Sequence, residues 1–287
     1  MAASHHPIFV GMLSKYRPST SLPRRPPPKP GHTDSVPDSS TTFLPSKHGL
    51  AFDNSWPAGP AVSIPLGIGV LGIGNAGRGM CGGMVFAALD YWHAGATPPA
   101  ARPDAGTPLF RFIVRRLVDS WRVPAGVARY YRWMLLPDHD RPAASGRGAG
   151  ARRAGVTRRT IAAHWPDVQA LLDAGVPAAL GVVTVASANP LLLGGNHQVL
   201  AYGYETAGSV VILHVYDPNV GPDDSVRIRF DMAAEPAPFG HNLGLQRPVR
   251  GFFLTRYRPV SPPGHTGSGG FRSQRLRGRR AAGTPSG

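Results

Sequence analysis

Between residues 80 and 175 the apolar side chains recur at three- and four-residue steps, the spacing that puts them on one face of an α-helix. After residue 175 they gather instead into short runs of Val, Leu and Ala divided by turn residues, as strands do. The first helix is predicted to start at Cys81. It carries Met84, Val85, Ala88, Leu89 and Trp92 inward and ends around His93-Ala94-Gly95, ahead of Pro98 and Pro99. Thr107 followed by Pro108 is a cap-and-first-turn signal for a second helix to Trp121, with Phe110, Ile113, Val114, Leu117 and Val118 on its apolar face. A third opens at Pro124 and runs through Val127, Tyr130, Tyr131, Met134 and Leu135. A fourth is expected over 160–174, with Ile161, Trp165, Val168, Leu171 and Leu172 inward; Pro166 inside it must kink the helix or move its start. These aromatic stripes read as core. Strands are expected over 176–186, 197–204, 209–216, 225–230 and 251–257. Helices first and strands afterwards predict an α+β fold, with helices packed on an antiparallel sheet.

Composition bounds the domain. Residues 1–50, with Arg24-Arg25-Pro26-Pro27-Pro28-Lys29-Pro30, hold too little apolar surface to order themselves and read as a disordered tail, as does the basic segment 261–287. One domain is expected over 51–260, with a flexible basic loop at 137–156. The net charge of +15 sits in these outlying stretches: 1–50, 141–160 and 261–287 together account for all of it. Arginine outnumbers lysine 28 to 3 there and elsewhere, and no aromatics interleave, so the charge reads as solvated compositional bias rather than a nucleic-acid surface. A nucleic-acid contact through the tails stays open as a weaker reading. No apolar run reaches the length of a membrane span, and no signal-peptide core stands out, so a cytoplasmic protein is expected.

The chemistry centres on Cys81, the sole cysteine, which follows a glycine-rich turn and opens a helix. A lone cysteine is commonly a small buried hydrophobe. At a helix start, however, unpaired backbone N–H groups and the macrodipole favour a thiolate, the nucleophilic form. Such a nucleophile needs a base, and eleven histidines compete for that role. His197 stands out at the mouth of an apolar strand after Gly194-Gly195. The next strand ends in Asp217-Pro218-Asn219, so one hairpin brings a carboxylate or an amide beside the imidazole. Two overlapping matches to the dinucleotide fingerprint, Gly67 to Gly72 and Gly72 to Gly77, lack its context: Pro65 interrupts the lead-in and Asp90 falls within a helix. There is no phosphate loop, zinc helix or cysteine pair, so no cofactor and no metal are expected.

Taken together, Asn75 six residues before Cys81-Gly82, a distant His197 followed by Val199-Leu200, Gly203 and Tyr204, and then Asp217-Pro218 resemble the papain-like cysteine peptidase superfamily. The nearest pattern is that of the bacteriocin-processing peptidases that cut after a double glycine. The resemblance spans about residues 70–220 and implies a papain-like fold with the cysteine helix packed on a C-terminal antiparallel sheet. It further implies Cys81 as nucleophile, His197 as general base and then acid, Asp217 as orienting carboxylate, and Asn75 with the Cys81 backbone N–H as oxyanion donors. The substrate would be a peptide or amide. The family usually places glutamine at the position of Asn75; asparagine is one methylene shorter. Asn219 is a second candidate for the orienting role. The other reading that follows is a catalytically inactive member serving as a binding or scaffold protein.

Overall fold

The computed structural model describes residues 38–56, 62–65, 70–73, 79–142, 152–234 and 238–265. Asn75, both dinucleotide-like glycine motifs for the most part, the middle of the basic loop and the outer parts of both tails lie outside the described residues. In chain order the elements are β1 (Ser39–Ser40), α1 (Pro45–His48), β2 (Val62–Pro65), β3 (Val70–Ile73), α2 (Cys81–His93), α3 (Pro108–Trp121), α4 (Ala125–Met134), β4 (Arg141–Pro142), β5 (Arg152–Arg153), α5 (Val156–Arg159), α6 (Trp165–Asp173), β6 (Ala178–Val183), β7 (His197–Ala207), β8 (Val210–Tyr216), β9 (Arg227–Asp231), β10 (Gly240–His241) and β11 (Gly251–Leu254). All described residues fall within the compact unit Val36–Gly287.

Helix starts follow the local chemistry. Thr107 Oγ1 accepts the Phe110 N–H at the head of α3, as a threonine cap should, and Pro108 fills the first helical position where its missing N–H costs nothing. The helix expected over 160–174 is divided. A π-helical turn, Thr160–His164, separates α5 from α6, and Pro166 at the second residue of α6 has no N–H to give the carbonyl one turn back. Thr160 Oγ1 both donates to the Phe252 carbonyl and accepts its N–H, which ties this turn to β11.

Two expectations from composition need correcting. Order begins before residue 51: β1 pairs with β7 at Ser39↔Tyr204 and Ser40↔Gly203, and Phe43 is fully buried against Tyr202 and Tyr216. Leu50 is also fully buried, its N–H donates to the Tyr216 hydroxyl at 3.2 Å, and Ser46 is tied to Asp224, so the stretch is anchored at several points. The ends of the basic loop are also held, because β4 pairs with β5 and Asp140 accepts the Gly155 N–H and pairs with Arg158.

The architecture is α+β. The main sheet runs β10-β9-β8-β7-β6-β11, with every named pairing antiparallel, and β1 joins β7 at its far end. Its central strands are buried along most of their length because both faces are covered. α2, α3 and α4 build one core around Met84, Ile113, Leu117, Tyr130 and Phe253. α6 supplies Trp165, Val168 and Leu172 to a second, against Val182, Val199, Leu213 and Ile228. A third joins α2 to the sheet through Val85, Phe86, Leu89, Leu200 and Tyr216. Among the described residues no helix is long and apolar enough to cross a membrane.

One buried ion pair fixes α2 against α3. Arg116 Nε lies 2.7 Å from Asp90 Oδ2, both side chains are almost fully buried, and the guanidinium sits between the Phe86 and Tyr257 rings at 5.0 and 5.4 Å. Asp90 Oδ1 also accepts the Tyr257 hydroxyl at 2.7 Å and the Val260 N–H at 2.9 Å, which straps the segment after β11 across the helices. Arg116→Met would leave that carboxylate buried without its counter-charge. The unfolding free energy from urea titration is expected to fall by about 3–5 kcal/mol, and adding Asp90→Asn to recover part of the loss.

Candidate active site

Cys81 is the first residue of α2, and no side chain caps the helix N-terminus, so its leading N–H groups remain directed at whatever lies before them. The approach to it is clamped from residue 54. Asn54 Oδ1 accepts the Met80 N–H at 2.5 Å, while Asn54 Nδ2 donates to Asn219 Oδ1 at 2.9 Å and the Asn54 N–H donates to the Pro218 carbonyl at 2.9 Å. Asn54 thereby bridges the residue before the cysteine to the turn after β8. Gly79 has φ +42°, and a Cβ there would run into the Asn54 side chain, so only glycine admits the clamp. Gly82 lies hard against Ser120 and Gln198, which brings the start of α2 down onto the first residues of β7.

His197 opens β7, opposite Val182 of β6. Because Leu200 pairs with Tyr216 across the β7–β8 hairpin, residues 197 and 217 emerge at the same end of the sheet. His197 Nε2 lies 2.7 Å from Asp217 Oδ1. Cys81 lies near enough to the imidazole to favour its protonated form, and with Nε2 committed to Asp217 the other ring nitrogen, Nδ1, is the one not engaged by the carboxylate. The structure thus brings Cys81, His197 and Asp217 together. Asp217 is fully buried and His197 nearly so.

The charges are arranged for a protonated imidazole. Burial opposes the charge on His197, but the Asp217 carboxylate and then Cys81 outweigh it and raise its pKa to about 10. For Asp217 burial likewise opposes the charge. The imidazolium, with the Asn219 N–H at 2.8 Å on Oδ1 and the Gly244 N–H at 2.9 Å on Oδ2, overcomes burial and holds the carboxyl below its ordinary range. Asp217 rather than Asn219 faces the ring; Asn219 is occupied by Asn54 and, through Nδ2, by the Gly244 carbonyl at 3.3 Å. Behind His197 the buried Tyr130 donates its hydroxyl to the His197 carbonyl at 3.1 Å.

A cleft of about 410 Å³ borders His197, lined also by Asn54, Gly79, Gly195, Asn219 and Arg247 among others. Four of the other described histidines are engaged elsewhere. His93 stacks on Tyr257, His164 packs on Trp133, His214 pairs with Glu205 at 2.7 Å, and His48 accepts the Leu44 N–H. Asn75 lies outside the described residues. Two residues that hold the site were not singled out from the sequence for that purpose. Asn54, in the stretch Asn54-Ser55-Trp56-Pro57, reads from the sequence as a turn residue between two aromatics and as part of the wider resemblance, with no role at the site. Tyr130 sat in an apolar stripe, where the one clue was that a buried tyrosine hydroxyl needs a partner.

Comparison with known proteins adds no relative: no family model, no curated protein and no solved structure matches the chain.

The pKa directions define a stability window. His197 is raised, so its contribution is complete below its ordinary value near 6.5 and is lost as pH rises through about 10. Asp217 is lowered, so its contribution is complete above 3.8 and is lost as pH falls through its depressed value. Asp217→Asn would turn an amide N–H toward the Gly244 N–H and strand the imidazolium. Urea unfolding at pH 5.5 is expected to show a loss of about 3–5 kcal/mol. The gap from wild type should narrow by pH 9.5; an equal gap at both pH values would mean that the pair is not charged.

Proposed function

We propose that the protein is a thiol hydrolase of the papain-like kind, acting on a peptide or amide bond. The observation that carries this reading is the grouping of Cys81 at an uncapped helix start with His197, whose protonated form it favours, and with buried Asp217 at 2.7 Å from the imidazole. Sulfur, imidazole and carboxylate in that order are what a nucleophile, its proton carrier and an orienting acceptor require.

In the proposed reaction the Cys81 thiolate attacks the carbonyl carbon and forms the C–S bond as the carbonyl electrons move onto oxygen. Collapse of the tetrahedral adduct expels the amine, which takes its proton from His197. Water then enters, gives a proton back to His197 and breaks the thioester, returning the thiol pair and releasing an acid. The Asp217 charge keeps the imidazolium oriented throughout and is itself held by the Asn219 and Gly244 N–H groups. The N–H of Cys81 and the side chain of Asn75 are assigned to the oxyanion on the strength of the resemblance; one such donor is typically worth about 10²–10³ in rate. The cleft, with Gly195 on its wall and Arg247 at its edge, is where the substrate chain would lie.

Because Cys81 is the only cysteine, alkylation read by intact mass reports on that sulfur alone. Iodoacetamide at pH 6 is expected to label wild-type protein at Cys81, and His197→Gln to slow labelling by about 10²-fold. Equal rates in the two proteins, or none in either, would overturn the thiol reading and leave a cleft that binds without reacting. Where labelling behaves as expected, Cys81→Ala is expected to abolish hydrolysis of any peptide or amide substrate found by screening.

A further inference from the structure

A second pocket, about 30 Å³ and sharing no lining residue with the cleft, opens between the end of α3, the start of α4 and the chain just after β11. Its lining includes Ser120, Arg122, Gly126, Arg129, Thr255 and Arg256. Three arginines therefore border one small recess. Arg129 is half-buried and anchored, donating to the Leu254 carbonyl at 3.0 Å and lying 5.5 Å from the centre of the Phe253 ring. Arg122 and Arg256 are exposed and border the recess, near enough to Arg129 for their charges to act on it. Among the described residues no salt bridge joins any of the three to a carboxylate; the nearby acid Asp119 is bonded to Arg116 instead. Burial and the charges of Arg122, Arg256 and Arg132 hold the Arg129 guanidinium below its usual pKa, opposed only by Tyr130. Arg122 also has φ +42°, a backbone conformation that glycine adopts without strain.

We propose that Arg122, Arg129 and Arg256 form a binding site for a small phosphate-bearing ligand. Arginine forks match phosphate oxygens in pairs, and three uncompensated cations call for an anion with more than one negative charge. A single carboxylate would leave most of that charge unneutralised. The recess is concave and local, whereas a nucleic-acid strand needs an extended basic track with stacking surfaces. The hydroxyls of Ser120 and Thr255 are already donating, to the Leu117 and Ala179 carbonyls, so the guanidinium groups supply the donors. The pocket also backs onto the cysteine site: Tyr130, which lines it, holds the His197 carbonyl, and Ser120 accepts from Gln198 at 3.1 Å.

The test is calorimetric titration of the full chain with inorganic pyrophosphate, ionic strength held constant with sodium chloride. Saturable one-to-one binding is expected in wild type. Arg122→Gln with Arg256→Gln is expected to weaken it by at least about tenfold, the loss of one to two charge-assisted bonds. Both side chains are exposed, so this variant keeps the Arg129 anchor and its fold. Arg247→Gln, in the other cleft, should leave the affinity unchanged. Absence of saturable binding overturns the proposal, as does binding equal in the double variant or abolished by Arg247→Gln. An oligothymidylate without terminal phosphates that binds in an Arg122- and Arg256-dependent way while pyrophosphate does not would also overturn it, making the cluster a strand contact.

Discussion

The carboxylate of Asp217 is the constraint on which the site depends. A fully buried negative charge is tolerable only if its oxygens are saturated, and here two backbone N–H groups and one imidazole do so. Each donor comes from a different place: the turn after β8, the loop after β10 and the mouth of β7. The carboxylate therefore fixes the relative positions of three segments before it does anything for His197. The imidazole inherits its orientation from that framework, and Tyr130 secures the backbone that bears it.

The second half of the arrangement is the placement of α2. A helix start becomes useful chemically only if it can be brought close to a strand end without side chains in between. Gly82 permits that approach on the sheet side, and the Asn54 bridge draws the preceding residues toward the turn at Pro218 and Asn219. Farther along the same helix, Asp90 meets Arg116 and Tyr257, so α2 is pinned at both ends by polar contacts and along its length by apolar ones. These contacts set the helix's position as well as its stability.

Much of this was legible in the chain. The 3.6-residue period located α2 and α3 almost to the residue, because both have clear starts: a glycine-rich turn for one, Thr107-Pro108 for the other. The strands after residue 175 were legible from their apolar runs, and the proximity of His197 to Asp217 followed from one hairpin of ordinary length, but the place of β11 beside β6 was not. Long-range anchors were harder to see. Phe43 lies in a stretch whose average composition resembles a tail, and its burial depends on Tyr202 and Tyr216, far away in sequence. Asn54 looks like any turn residue until its partners at 80, 218 and 219 are known. The division between α5 and α6 was foreshadowed by Pro166, but the π-helical turn depends on Thr160 bonding to β11.

The Asn54 bridge has a consequence for the order of events during folding. It joins positions 54, 80 and 219, and the carboxylate it helps to position also needs position 244, so the thiol–imidazole pair rests on contacts closed over most of the domain. No local fragment contains enough of these contacts to assemble the pair. Closing loops of that length is slow relative to forming the helices. The proximity of Cys81 to His197 is therefore a property of the closed domain rather than of any one segment that carries either residue.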